Sequence, residues 1–79
     1  MYISTRSNNA IRIVVDILRH REWTSVLDIA QRIELPVIYT RILLIPLVKS
    51  TIIKKNGGKY KLGKTTDMFT LKDIIRAVA

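Results

Sequence analysis

Residues 35–66 read LPVIYTRILLIPLVKSTIIKKNGGKYKLGKTT, and within them Arg41, Lys49, Lys54, Lys55, Lys59, Lys61 and Lys64 stand without one acidic residue. The six carboxylates of the chain, Asp16, Glu22, Asp28, Glu34, Asp67 and Asp73, all lie outside this stretch. Its first half carries apolar residues at helical spacing behind Pro36, a residue suited to a first helical turn because its missing N–H has no intrahelical partner there. Its second half, TIIKKNGGKYKL, has the form of a β-hairpin. Asn56-Gly57 at the tip supplies the two positive φ angles that a two-residue type I′ turn requires, and Ile53 and Tyr60 are placed on the inward face. A helix over 36–49 followed by a hairpin over 51–62, both cationic, is the layout of a winged helix.

The segments on either side fit that frame. Residues 7–20, SNNAIRIVVDILRH, are predicted as a helix with Ser7 or Asn8 as its N-cap. The apolar face of this helix leaves only a narrow polar stripe, so it is expected to be covered on two sides, by the core and by a partner chain. Residues 25–33 form a second helix, with Ser25 and Asp28 at capping-box spacing. Residues 69–79 form a last one, with Thr70 and Asp73 repeating that spacing and Phe69 stapling onto Ile74. Pro46 is expected to kink or end helix 36–49 in its last turn. The fold class is therefore mainly α with a small β-hairpin, in the order helix, helix, helix, hairpin, helix, and residues 1–79 are read as a single domain.

Composition narrows the function. With 48% hydrophobic and 25% charged residues the chain is globular, and no apolar run approaches the ~18 residues that span a bilayer. A net charge of +8 favours a polyanionic partner. The absence of cysteine excludes disulfides and thiolate-held metal. The lone histidine, His20, sits between Arg19 and Arg21 and reads as a helix C-terminal cation rather than a metal ligand. Trp23 reads as a cap over the core. No nucleophile elbow is present, and the Gly63-Lys64-Thr65 triplet lacks the upstream glycine and buried strand of a phosphate loop. Neither an enzyme, a cofactor nor a metal is expected, and the expected location is the cytoplasm.

In a helix-turn-helix the second helix enters the major groove of DNA by its N-terminal residues. Here helix 25–33 would brace and helix 36–49 would read, with Pro36, Val37, Ile38, Tyr39, Thr40 and Arg41 at the base edges. Arg41 is the best hydrogen-bonding candidate, because its fork matches the two acceptors of guanine, while Val37 or Ile38 suits a thymine methyl. The backbone-gripping set is Arg6, Ser25, Lys49, Lys54, Lys55, Asn56, Gly57, Gly58, Lys59, Tyr60 and Lys61, since lysines mark phosphate position rather than sequence. The expected partner is double-stranded DNA, with a homodimer formed through the first and last helices. The alternative is a winged-helix module that binds another protein.

Four stretches, ISTRSNNAIRIVVDIL (3–18), TSVLDIAQRIELPVIYTRILLIPLVKS (24–50), NGGKYKL (56–62) and FTLKDIIRAVA (69–79), together resemble the Rrf-two family of bacterial winged-helix transcriptional regulators, typified by IscR, NsrR and CymR. The resemblance implies a dimer on a palindromic operator, and the expected function is that of a sequence-specific transcriptional regulator acting as a repressor. It places Tyr39 and Arg41 where the family has a tyrosine and a base-reading residue, and Gly57, Gly58 and Tyr60 in a glycine-rich wing that enters the minor groove. Glu34 stands where the family has a turn glycine, Pro46 falls inside the reading helix, and Lys54 and Lys55 replace an Arg-Gly-Pro lead into the wing. The cysteines of cluster-sensing members have no counterpart here, so cluster sensing is not implied.

Overall fold

The computed structural model describes residues 3–79. Its elements run α1 (Thr5–Arg19), β1 (Thr24–Ser25), α2 (Val26–Ile33), α3 (Val37–Lys49), β2 (Ile53–Asn56), β3 (Lys59–Leu62), a single 3-10 turn at Thr66–Met68, and α4 (Leu71–Val78). The expected order holds, with one strand added. Thr24–Ser25 pairs antiparallel with β3, making a three-stranded sheet in the order β1-β3-β2.

Helix α1 begins earlier than its local signals suggested. Ser4, not Ser7 or Asn8, is the N-cap, and its hydroxyl accepts the Ser7 N–H at 3.1 Å. Ser7 lies one turn before Ala10 on the stripe that also buries Ile13, Val14 and Ile17, so extending the helix upward buries it as well. The helix packs against α2, α3, α4 and β3, and is the spine of the molecule. On its other side Val15 and Leu18 are exposed in the single chain.

The link from α2 to α3 turns on Glu34, which takes a left-handed conformation (φ 57°, ψ 48°) while Leu35 donates to the carbonyl of Ala30 at 3.0 Å. That is the helix terminator usually given to glycine. Pro36 is the N-cap of α3 rather than its first helical residue, and its carbonyl accepts both the backbone N–H and the hydroxyl of Thr40. The helix runs through Pro46 and stops one turn later. The bond lost at Pro46 falls on the carbonyl of Ile42, a residue on the exposed side of the helix.

The hairpin turn sits one residue later than expected. Gly57 (φ 57°) and Gly58 (φ 76°) are its two central residues, while Asn56 pairs across with Lys59. Two adjacent glycines take left-handed angles at no steric cost, so the turn settles on them in preference to Asn56-Gly57. The resulting register sets Ile53 opposite Leu62 and Lys55 opposite Tyr60, with Ile53 and Tyr60 buried as expected. At the base of the hairpin Gly63 donates to Ile52 at 2.8 Å. A Cβ on Gly63 would lie 2.5 Å from the carbonyl oxygen of Thr51. Thr70 and Asp73 form the reciprocal cap of α4, and Phe69 packs against the core cluster that contains Ile74. One cluster of buried side chains joins all four helices to the hairpin.

Candidate nucleic-acid interface

Helix α3 lies on the body of the protein through Leu43, Leu44 and Leu47, all fully buried. Opposite them Ile38, Arg41, Ile42, Ile45 and Lys49 form an exposed stripe, spaced at 3, 1, 3 and 4 residues so that they share one side of the helix. Of the six expected base-edge residues, Pro36, Ile38 and Arg41 stand outward, and Val37 and Tyr39 are half-buried against the core. Thr40 is a correction. It is completely buried and its hydroxyl is held by Pro36, which removes it from the outward face. Ile42 and Ile45 belong to that face and were not expected there; carrying the helical period onward from Ile38 and Arg41 would have found them.

Strand alternation divides the wing. Ile53, Lys55, Tyr60 and Leu62 share the side that meets the body, where Lys55 borders a shallow groove with Leu44, Ile45, Val48, Lys49 and Tyr60. Lys54 and Lys61 lie directly opposite each other on the other side, with their ammonium groups 5.6 and 5.9 Å from the Trp23 ring. Trp23 is therefore no cap over the core but an exposed plate beneath two lysines. Thr24 next to it is buried against the sheet, which turns Trp23 the other way. Asn56, Gly57, Gly58 and Lys59 form an exposed tip. Tyr60 is 4% exposed and is a core residue, not a wing contact.

The charges of this region are not neutralised. Among the described residues the ion pair formed is Arg32–Asp16, remote in sequence from the cations of α3 and the wing. Ser25 caps α2, its hydroxyl accepting the Asp28 N–H at 3.1 Å while retaining a proton of its own to donate. Arg6, expected to touch phosphate, lies within α1, where its Nε donates to the carbonyl of Val78 at 2.5 Å and closes the end of α4.

Three polar residues that sequence reasoning passed over tie the elements together, and one of them, Asn9, holds α3 directly. Asn9, buried on α1, donates through Nδ2 to the hydroxyl of Tyr39 at 3.3 Å, and its Oδ1 accepts from Arg12 at 3.2 Å. Arg12 also donates to the carbonyl of Ile33, the last residue of α2, where a cation suits the negative end of the helix. Arg32 grips Asp16 with two N–H groups, Nε at 2.9 Å and the terminal nitrogen at 2.8 Å, and reaches Thr24 at 3.0 Å. The Asp16 hydrogen bond raises the Arg32 guanidinium above its ordinary pKa. One signal could have flagged Asn9: it is an amide beside the apolar stripe of a helix.

A four-helix body with a helix-turn-helix, a three-stranded sheet and a projecting basic hairpin defines the winged helix-turn-helix class. The chain belongs to the Rrf2 family, whose model, described as an iron-dependent transcriptional regulator, matches residues 3–79. Among solved structures it is similar to CymR (YrzC), the global cysteine regulator of B. subtilis, at 32% identity and a TM-score of 0.87, over 99% of this chain and 63% of that one. CymR of Staphylococcus aureus in its oxidized form matches at 25% identity and a TM-score of 0.87, over 99% and 67%. IscR of T. potens, 24% identical with a TM-score of 0.87 over 100% and 61%, shares the fold. The chain thus spans about three fifths to two thirds of the length of these relatives. Comparison with curated proteins finds no match. The donors present do not fit an iron centre: the sequence has no cysteine and one histidine, and among the described residues no three His, Asp or Glu side chains converge.

Proposed function

We propose that residues 1–79 act as one sequence-specific DNA-binding domain of a transcriptional regulator, most simply a repressor that occupies its operator. The observation that carries this reading is the convergence of exposed, unpaired cations from two elements: Lys49 of α3 and Lys55 of the wing line a single groove, and Arg41 stands on the same exposed stripe of α3 as Lys49. In this reading the outward residues of α3, from Pro36 to Arg41, face base edges, and Arg41 addresses guanine. Lys49, Lys54, Lys55, Lys59 and Lys61 hold phosphates, with Ser25 donating its free proton. The Gly57-Gly58 tip brings backbone close to the duplex. Tyr39 holds the reading helix to α1 and keeps its hydroxyl proton for a phosphate. Thr40 and Tyr60 support these groups from the core.

Repressors of this kind work where DNA is accessible, so the cytoplasm is the proposed location; no helix among the described residues is long and apolar enough to cross a membrane. A second copy would join along α1 and α4, where Val15, Leu18 and Leu71 are exposed. The exposed isoleucines of α3 favour one other reading, a module that binds a protein.

One titration separates the two. Fluorescence anisotropy of random-sequence duplex DNA at rising salt should give a log–log slope of about −4 to −5 if about five phosphates are neutralised. Absent or salt-insensitive binding sinks the DNA reading.

A further inference from the structure

We propose that α3 reads thymine chiefly through its methyl group, with Ile38, Ile42 and Ile45 as the contacting side chains and Arg41 as the only base-edge hydrogen-bonding group on that face. The inference rests on the DNA-binding reading above and specifies what the reading helix recognises.

Ile38, Ile42 and Ile45 are 76%, 47% and 53% exposed, and they project from one side of α3 together with Arg41 and Lys49. From Ile38 to Ile45 the helix rises about 10 Å, which matches about three base-pair steps of 3.4 Å. An isoleucine has no donor or acceptor, so it cannot distinguish bases by hydrogen bonds. The one apolar feature that base pairs present in the major groove is the C5-methyl of thymine.

The surroundings decide between DNA and an apolar protein surface as occupant. Arg41 and Lys49 share the exposed stripe with the isoleucines, Lys55 lines a groove beside Ile45, and residues 35–66 contain no acid to balance them. Seating an apolar protein patch here would bury these cations unpaired. A major groove offers methyl groups at its floor and phosphates along both walls, complementary to an apolar strip between cations. The expected site is a short run of A·T pairs beside one guanine.

The test begins by enriching duplexes from a random pool on the 79-residue chain. Each thymine of the enriched duplex is then replaced by uracil, which removes only the methyl, and affinity is followed by anisotropy at fixed salt. Two or three neighbouring positions should each weaken binding about three- to fourfold, the effect of one buried methyl. Ile42→Ala should abolish the uracil effect at one of these positions and leave the salt slope unchanged. Uracil tolerated at every position overturns the inference while DNA binding stands. Salt-steep binding without any enriched sequence overturns it too. Failure to bind any duplex removes the underlying functional reading as well.

Discussion

The hydroxyl of Tyr39, in the first turn of α3, accepts a hydrogen bond from Asn9 of α1 at 3.3 Å. Asn9 is 7% exposed, so the bond satisfies an amide that has little access to solvent. Tyr39→Phe should therefore lower stability by about 1 kcal/mol, or roughly 4–8 °C in Tm for a domain of this size. Thermal melting followed by circular dichroism checks this. An unchanged Tm means that Asn9 does not depend on the phenol.

The Arg32–Asp16 bridge is expected to matter more than a surface ion pair, which is worth about 0–1 kcal/mol. Asp16 is only 10% exposed in its side chain, and the contact is a fork with a further bond to Thr24. Arg32→Ala should cost about 1–3 kcal/mol. A double-mutant cycle with Asp16→Ala isolates the coupling, and a value near zero would refute this assignment. Because Asp16 raises the guanidinium pKa, Arg32 keeps its charge across the alkaline range. The stability it contributes is complete below its ordinary pKa and is lost only as pH climbs past the raised one.

Glu34 adopts a left-handed conformation that costs a residue with a Cβ about 1–2 kcal/mol. Glu34→Gly should raise stability by roughly 1 kcal/mol despite the extra chain entropy of glycine. A lower Tm in this variant would show that the Glu34 side chain contributes something the backbone angle conceals.

Gly63 and Gly57 should respond to alanine for different reasons. At Gly63 a Cβ meets the Thr51 carbonyl oxygen at 2.5 Å, and the clash with backbone should cost about 1–3 kcal/mol. At Gly57 nothing lies within 4 Å, so only the positive φ is penalised, near the lower end of about 1–2 kcal/mol. Denaturant midpoints for the two variants test this order. Equal or reversed losses would contradict it.

Arg41→Ala should narrow the affinity gap between an enriched duplex and a scrambled one. Lys54→Ala should weaken both duplexes alike and reduce the salt slope by about one. Equal effects from the two substitutions would dissolve the distinction between reading and gripping.

The helices and the hairpin were legible because their signals are local. Thr70-x-x-Asp73 caps itself, and Asn56-Gly57-Gly58 must turn somewhere. What escaped depends on partners far along the chain. Thr24–Ser25 is a strand only because Tyr60 and Lys59 arrive beside it, and no pattern two residues long can announce that. The turn slid from Asn56 to Gly58 because two glycines compete for one angle pair on nearly equal local terms. At the interface the clustering of cations was visible at once, since an absence of acids needs no coordinates. Which of those groups face outward was not. Thr40 reads as a polar contact, yet its hydroxyl is held by the carbonyl of Pro36, and Ile42 and Ile45 face outward because Leu43, Leu44 and Leu47 fill the core. Asn9, Arg12 and Arg32 act across 16 to 30 residues of sequence, a range at which single-sequence patterns are mute.

The cross-strand placement of Lys54 against Lys61 has an outcome for the free molecule. Like charges on directly opposed residues repel, and in a chain of net charge +8 the Trp23 ring beneath them offsets that only in part. Dissolved ions should relieve that repulsion and compete with DNA at the same lysines. Adding salt should thus firm the unbound protein against heat while loosening its hold on a duplex, so that one reagent drives folding and binding in opposite directions.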